Sequence, residues 1–137
     1  MREIKFRAWD KETKKMGMVE YIDFSYRANN INFIMCRIEG VRELMGDSFK
    51  IMQYTGLKDK NGKEIYEGDV VKAEVAGPYT SDVKIKMEGE IIYYEPFACF
   101  EVKTKECGQP TMSIFDNFEI IGNKYENPEL LGDTNEK

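Results

Sequence analysis

The chain contains no histidine. A Ser-His-Asp triad, a Cys-His pair, a His-liganded zinc and a histidine proton shuttle at neutral pH cannot be assembled from it alone, which removes most familiar hydrolase chemistry. Cysteine is also scarce. Cys36, Cys99 and Cys107 are odd in number, widely spaced and without a C-x-x-C pair, so reduced structural or surface thiols are expected instead of a disulfide framework or a zinc knuckle. No run approaches the roughly 18 consecutive apolar residues of a membrane span. The opening stretch MREIKFRAWD alternates charge and hydrophobe where a signal peptide has an apolar core, so the protein is expected in the cytoplasm, with no membrane partner.

What is present suits one main folded core. The 137 residues are 42% apolar and 33% charged, too hydrophobic for overall disorder. A formal net charge of −5 argues against broad nucleic-acid binding, because that binding draws its free energy from Lys and Arg displacing phosphate counterions. Charge is uneven, however. Residues 1–15 hold six basic residues (Arg2, Lys5, Arg7, Lys11, Lys14, Lys15) against Glu3, Asp10 and Glu12, whereas the tail from Glu126 to Lys137 has four acids and one lysine.

The dominant pattern is a period of two. Ile4, Phe6 and Ala8 alternate with Lys5, Arg7 and Trp9, as a half-buried strand requires, and Asp10 to Lys15 reads as a polar turn. Met16 to Phe24 and Ile31 to Ile38 read as two further strands joined by a turn at Ala28-Asn29-Asn30. The segment 40–46 fits either a short helical turn or a loop. Asp47 to Tyr54 reads as a strand with Phe49 and Ile51 on one face and Lys50, Met52 and Tyr54 on the other. After it comes Lys58-Asp59-Lys60-Asn61-Gly62-Lys63, dense in turn formers. Asn61-Gly62 fits a tight hairpin, or a type I turn with Gly62 as the left-handed bulge residue; in both, Gly62 is expected at positive φ. Further strand-like runs follow around Val70 to Val75, Val83 to Met87, Ile91 to Tyr94, Ala98 to Val102 and Met112 to Tyr125, with Phe118, Ile120 and Ile121 inward and Gly68 marking a sharp bend. Asn127-Pro128-Glu129-Leu130-Leu131-Gly132 has the signals of one helical turn, and the chain is expected to fray beyond it. Strands every 10 to 15 residues with no long 3.6-period stripe favour an antiparallel barrel or sandwich over α/β.

Four pieces together resemble the YopX family. They are Lys5-Phe6-Arg7-Ala8-Trp9-Asp10, the block from Met52 through Thr55-Gly56-Leu57-Lys58-Asp59-Lys60-Asn61-Gly62 to Glu67-Gly68-Asp69-Val70-Val71, the barrel-like middle, and the closing Ile121-Gly122-Asn123-Lys124-Tyr125-Glu126-Asn127-Pro128-Glu129-Leu130-Leu131. The resemblance implies a mainly β, antiparallel protein encoded in phage or prophage genomes, with a C-terminal part similar to an SH3-type barrel. On that basis residues 1–50 are expected to form an N-terminal β-rich extension, 51–125 an SH3-like barrel and 126–137 a short tail. It implies no catalytic residues and no cofactor.

Asp59-Lys60-Asn61-Gly62 superficially matches the start of a calcium loop, but counting back from Gly62 puts Leu57 at position 1, where an oxygen ligand is required. Glu64, Glu67 and Asp69 offer paired carboxylates for acid–base work or a hard metal, and acids beside a bend are equally expected to be simply solvated. Among the aromatics, Trp9, Tyr54, Tyr66, Tyr93 and Tyr94 are the candidate binding surface, with Phe97 beside them, because SH3-like barrels bind extended peptides or bases on exposed rings. Core packing explains the same residues. The leading expectation is a non-enzymatic binding or adaptor module with a protein partner. A nucleic-acid-associated accessory protein using the basic N-terminal stretch is the alternative, and a carboxylate-based enzyme the third. A homo-oligomer also fits, through pairing of open sheet edges.

Overall fold

The computed structural model describes residues 2–28, 31–38, 43–77, 82–105 and 108–132. It contains ten strands, β1 (Phe6–Asp10), β2 (Lys15–Ala28), β3 (Ile31–Ile38), β4 (Glu43–Met45), β5 (Phe49–Lys58), β6 (Glu64–Tyr66), β7 (Asp69–Ala76), β8 (Lys84–Tyr94), β9 (Cys99–Thr104) and β10 (Phe115–Asn123), and its only helical pieces are single 3₁₀ turns among the described residues. The chain divides into two compact units, Met1–Tyr54 and Thr55–Lys137.

In the first unit the strands lie in the order β4-β3-β2-β1-β5, antiparallel throughout. Its core is Ala8, Cys36, Ile38 and Phe49, with Val19, Ile22 and Ile51 packed against them. Ala8 sits opposite Gly17 on one side and Ile51 on the other, at the centre of the sheet. The turn after β1 is held by the buried Asp10. Its Oδ1 accepts the Glu12 N–H at 2.9 Å and its Oδ2 the Thr13 hydroxyl at 2.8 Å, an Asx turn that takes the backbone out of the strand. The segment 40–46 resolves into two elements. Residues 40–42 lie outside the described structure, 43–45 form the short edge strand β4, and Gly46–Ser48 is a 3₁₀ turn, so β5 starts at Phe49 instead of Asp47. Asn29 and Asn30, expected as a turn, also lie outside the described residues.

The second unit is a four-stranded antiparallel sheet in the order β10-β7-β8-β9. Ile65, Val71, Ala73, Ile91, Val102, Met112, Phe115 and Phe118 form its core. Each fully buried Ile or Val there contributes about 1.5–3 kcal/mol relative to exposure. Gly89 sets the spacing of β8 and β9. A Cβ there would stand 2.6 Å from the Lys103 carbonyl oxygen and 2.8 Å from Val102 Cγ1, so only glycine lets the strands close over Val102. The outer face carries a cross-strand pattern of opposite charge, with Lys72 near Glu88 and Lys84 near Asp116.

Both edges of this sheet are covered. Along β9, Val102 N–H donates to Pro110 O at 2.9 Å and Thr104 N–H to Gly108 O at 2.8 Å. Along β10, Lys60 N–H donates to Phe118 O at 2.8 Å and Ile120 N–H to Asp59 Oδ2 at 3.1 Å, so the turn between β5 and β6 closes that edge. Among the described residues β7 to β10 thus form an open sheet with capped edges, with no strand pairing that closes it.

Asp59 links that turn to the sheet. While its Oδ2 receives Ile120, its Oδ1 accepts the N–H groups of Asn61 and Lys63, both at 2.9 Å, and its carbonyl accepts Gly62 N–H at 2.9 Å. Gly62 has φ +85, as the Asn-Gly pair requires, and open space around its missing Cβ. The C-terminal segment forms the 3₁₀ turn Pro128–Leu131, shorter than an α-helical turn with flanks.

Two outcomes are expected. Because a Cβ at Gly62 meets nothing, Gly62→Val strains only the backbone and should lower unfolding free energy by about 1–3 kcal/mol, with Gly62→Asn costing less; equal urea midpoints for all three proteins would remove the turn assignment. Asp59→Ala strands three N–H groups and should cost on the order of 2–4 kcal/mol. Burial, with 6% of Asp59 exposed, pushes its carboxyl up, but the N–H donors of Ile120, Lys63 and Asn61 and the Lys63 ammonium hold it below the ordinary value. A folded-state pKa lowered below the unfolded one stabilises above the unfolded value near 3.9 and loses that contribution as pH falls through the lowered value. The gap between wild type and Asp59→Ala should therefore shrink from about pH 7 to about pH 3, as read by denaturant melts.

Candidate functional site

The five candidate aromatics differ in exposure and in the unit that carries them. Tyr54 on β5 and Tyr66 on β6 are 5% and 4% exposed and present no ring face to a ligand. Lys5 Nζ stands 5.8 Å from the Tyr54 ring centroid, and the Tyr66 hydroxyl donates to Glu64 Oε1 at 3.1 Å. Trp9 is half-buried on β1, in the first unit. Tyr93 and Tyr94 are neighbours in an extended strand and so face opposite sides of the sheet. A period-two pattern shows which residues alternate, not which end of a strand is open.

An exposed aromatic group does exist at the tip of the β8–β9 hairpin. Glu95–Phe97 forms a 3₁₀ turn with Pro96 in its first positions, where a preset φ costs nothing. Ala98 then takes a left-handed conformation (φ 51, ψ 46) and donates its N–H to Glu95 O at 3.1 Å. A non-glycine residue at positive φ is uncommon, and here it closes the turn after Phe97. Phe97 is 72% exposed, more than any other large apolar side chain among the described residues. Its ring meets Tyr94 edge-on, with centroids 5.3 Å apart at 80°. On the other face Tyr93, 42% exposed, packs edge-on against Phe100 at 5.3 Å and 72°, and Phe100 packs on the core. Tyr93 is thus tied to the core through Phe100, while Tyr94 and Phe97 pack on each other on the opposite face. The local signal was Tyr-Tyr-Glu-Pro-Phe, a proline directly after a strand.

The other candidate groups are occupied structurally. Asp69 is buried and its Oδ2 accepts Tyr66 N–H at 2.8 Å, so it holds the bend at Gly68. Among the described residues no three Cys, Asp or Glu side chains are arranged to hold a metal ion. The basic residues Lys11, Lys14 and Lys15 are exposed on and beside the turn after β1. Lys14, at φ 58, donates its N–H to Asp10 O at 2.8 Å.

A family model described as YopX protein matches residues 5–132. Among solved structures, the chain is similar to the crystal structure of protein EF1440 from Enterococcus faecalis, with 29% identity, 96% of this chain and 99% of that chain covered, and a TM-score of 0.56. It is also similar, in fold alone, to the X-ray structure of protein yopX from Bacillus subtilis, at 19% identity over 98% and 99% of the two chains with a TM-score of 0.50. No curated protein matches.

Neither described thiol is activated. Burial pushes Cys36 up to about 11, and burial, then the Glu101 carboxylate, raises Cys99, whose thiol lies 3.8 Å from Glu101 Oε2. Cys107 lies outside the described residues. Since the thiolate is the reactive form, Cys36 in the first-unit core should resist iodoacetamide near neutral pH until the protein unfolds. Peptide mapping that finds rapid native-state labelling of Cys36 would contradict its place in that core.

Proposed function

The chain belongs to the YopX family, and on that premise we propose that it is a non-enzymatic binding module that holds a protein partner through the aromatic tip of the β8–β9 hairpin. Phe97 carries the reading: a ring this exposed, between Pro96 and a left-handed Ala98, lacks any folding role to explain it. Rigid aromatic anchors dominate protein interfaces because they bury large apolar area at little entropy cost. The second unit is read as an SH3-like, partly open barrel. Support comes from the β5–β6 turn bonding along the β10 edge and from Ile65 of β6 joining the sheet's core. The setting proposed with it is a phage- or prophage-encoded protein in the cytoplasm of a bacterial host. Among the described residues no helix is long and apolar enough to cross a membrane.

A second reading, a nucleic-acid-associated accessory role, has one observation in its favour, the exposed Lys11, Lys14 and Lys15. The net charge of −5 weighs against it. Carboxylate catalysis has less support, since Asp69 is committed to the Tyr66 backbone and Glu64 to the Tyr66 hydroxyl.

Affinity capture from nuclease-treated host lysate separates these readings. A partner held by the wild-type chain should be lost with Phe97→Ser and weakened with Tyr94→Ser, by roughly tenfold or more once its affinity is measured. Retention by Phe97→Ser, or binding abolished by nuclease or by neutralising Lys11, Lys14 and Lys15, would overturn the aromatic-tip reading.

A further inference from the structure

A pocket of about 200 Å³ opens on the second unit, and none of the aromatic-tip residues lines it. One wall is Leu130 and Leu131, from the 3₁₀ turn Pro128–Leu131. That turn is clamped by Asn123. Its Oδ1 accepts the N–H groups of Tyr125 at 3.0 Å and Glu126 at 2.9 Å, its N–H donates to Asn127 Oδ1 at 3.2 Å, and its carbonyl accepts Asn127 N–H at 2.8 Å. The turn also seats on β10 where a side chain is missing, since a Cβ at Gly122 would stand 2.6 Å from Leu130 Cδ1. The remaining apolar lining is the fully buried Val70, beside the Gly89 backbone.

The charges around this apolar lining do not cancel. Glu88 and Glu90 line the pocket, but Lys72 stands 3.9 Å from Glu88 and Lys124 3.2 Å from Glu90, both lysines coming from outside the lining. Lys103 and Lys105 also line it, and among the described residues neither has a carboxylate partner within ion-pair distance. Lys105 Nζ lies 2.7 Å from where a Cβ on Gly132 would stand, which puts the ammonium beside the residue that follows the leucine wall. Among the described residues, four lysines thus stand around two glutamates beside an apolar surface.

We propose that this pocket binds a small organic anion, a carboxylate on a short apolar stem, with the stem against Val70, Leu130 and Leu131 and the carboxylate between the ammonium groups of Lys103 and Lys105. The volume is below the roughly 300–1,000 Å³ of drug-sized sites, which selects a short chain over a nucleotide. This site is separate from the aromatic tip and does not rest on it.

Hexanoate is the probe, with hexylamine and hexanol as controls, in amide NMR titrations of the full chain. Hexanoate should shift the Gly89, Lys103, Lys105 and Leu131 amides saturably, hexanol much more weakly, and hexylamine not at all. Lys103→Gln and Lys105→Gln should each weaken hexanoate about threefold and together about tenfold, as exposed ion pairs do, with the spectra showing that the variants stay folded. Phe97→Ser should bind hexanoate like wild type, which keeps this result distinct from partner capture. Equal binding of hexylamine, an unchanged affinity in the double variant, or no saturable shift at those four amides would overturn the proposal.

Discussion

The carboxylate of Asp59 is the point on which the second unit depends. One oxygen closes the turn after β5 by receiving Asn61 and Lys63, and the other receives Ile120 from the edge of β10. A neutral side chain of the same length has only one acceptor oxygen, so a single residue both shapes the turn and docks it only if it carries a carboxylate. Without that docking, β10 would offer an open edge, with unpaired backbone groups ready to template another chain. The opposite edge is covered by 108–111, so the sheet is finished on both sides by irregular segments instead of by further long strands.

The same device recurs along the chain. Asp10, Asp69 and Asn123 are each buried, and each accepts backbone N–H groups to hold a turn or bend. These residues, with Asp59, fall inside the pieces that carry the YopX resemblance. What makes those pieces recognisable is therefore largely turn chemistry, in which short acidic or amide side chains satisfy backbone donors that a bend would otherwise bury unpaired. Such motifs specify a fold and are silent about ligands.

Function is accordingly sought in residues that the fold does not consume. Most of the candidate carboxylates and two of the candidate tyrosines are spent on structure. Phe97 with Tyr94 at the hairpin tip, and Lys103 with Lys105 beside the leucine wall, are not. Both features lie on β8, β9 and their flanks, where Gly89 lets the two strands close and fixes the pieces that stand around them.

The period-two alternation determined by itself that the chain is mainly β, because side chains of a half-buried strand must alternate between core and water. Asn61-Gly62 determined a left-handed turn residue, because only a residue without a Cβ penalty takes φ near +85 at no cost. The absence of histidine likewise needed no structure to exclude its chemistries. Strand order, the capped edges and the open sheet were decided only by tertiary structure, since a Lys60–Phe118 or Asp59–Ile120 bond joins residues that no local pattern connects. Exposure was decided there too. Tyr54 and Phe97 are both aromatics beside β-rich runs, yet one is buried in the sheet and the other stands in water, because burial depends on what the rest of the chain packs against each ring.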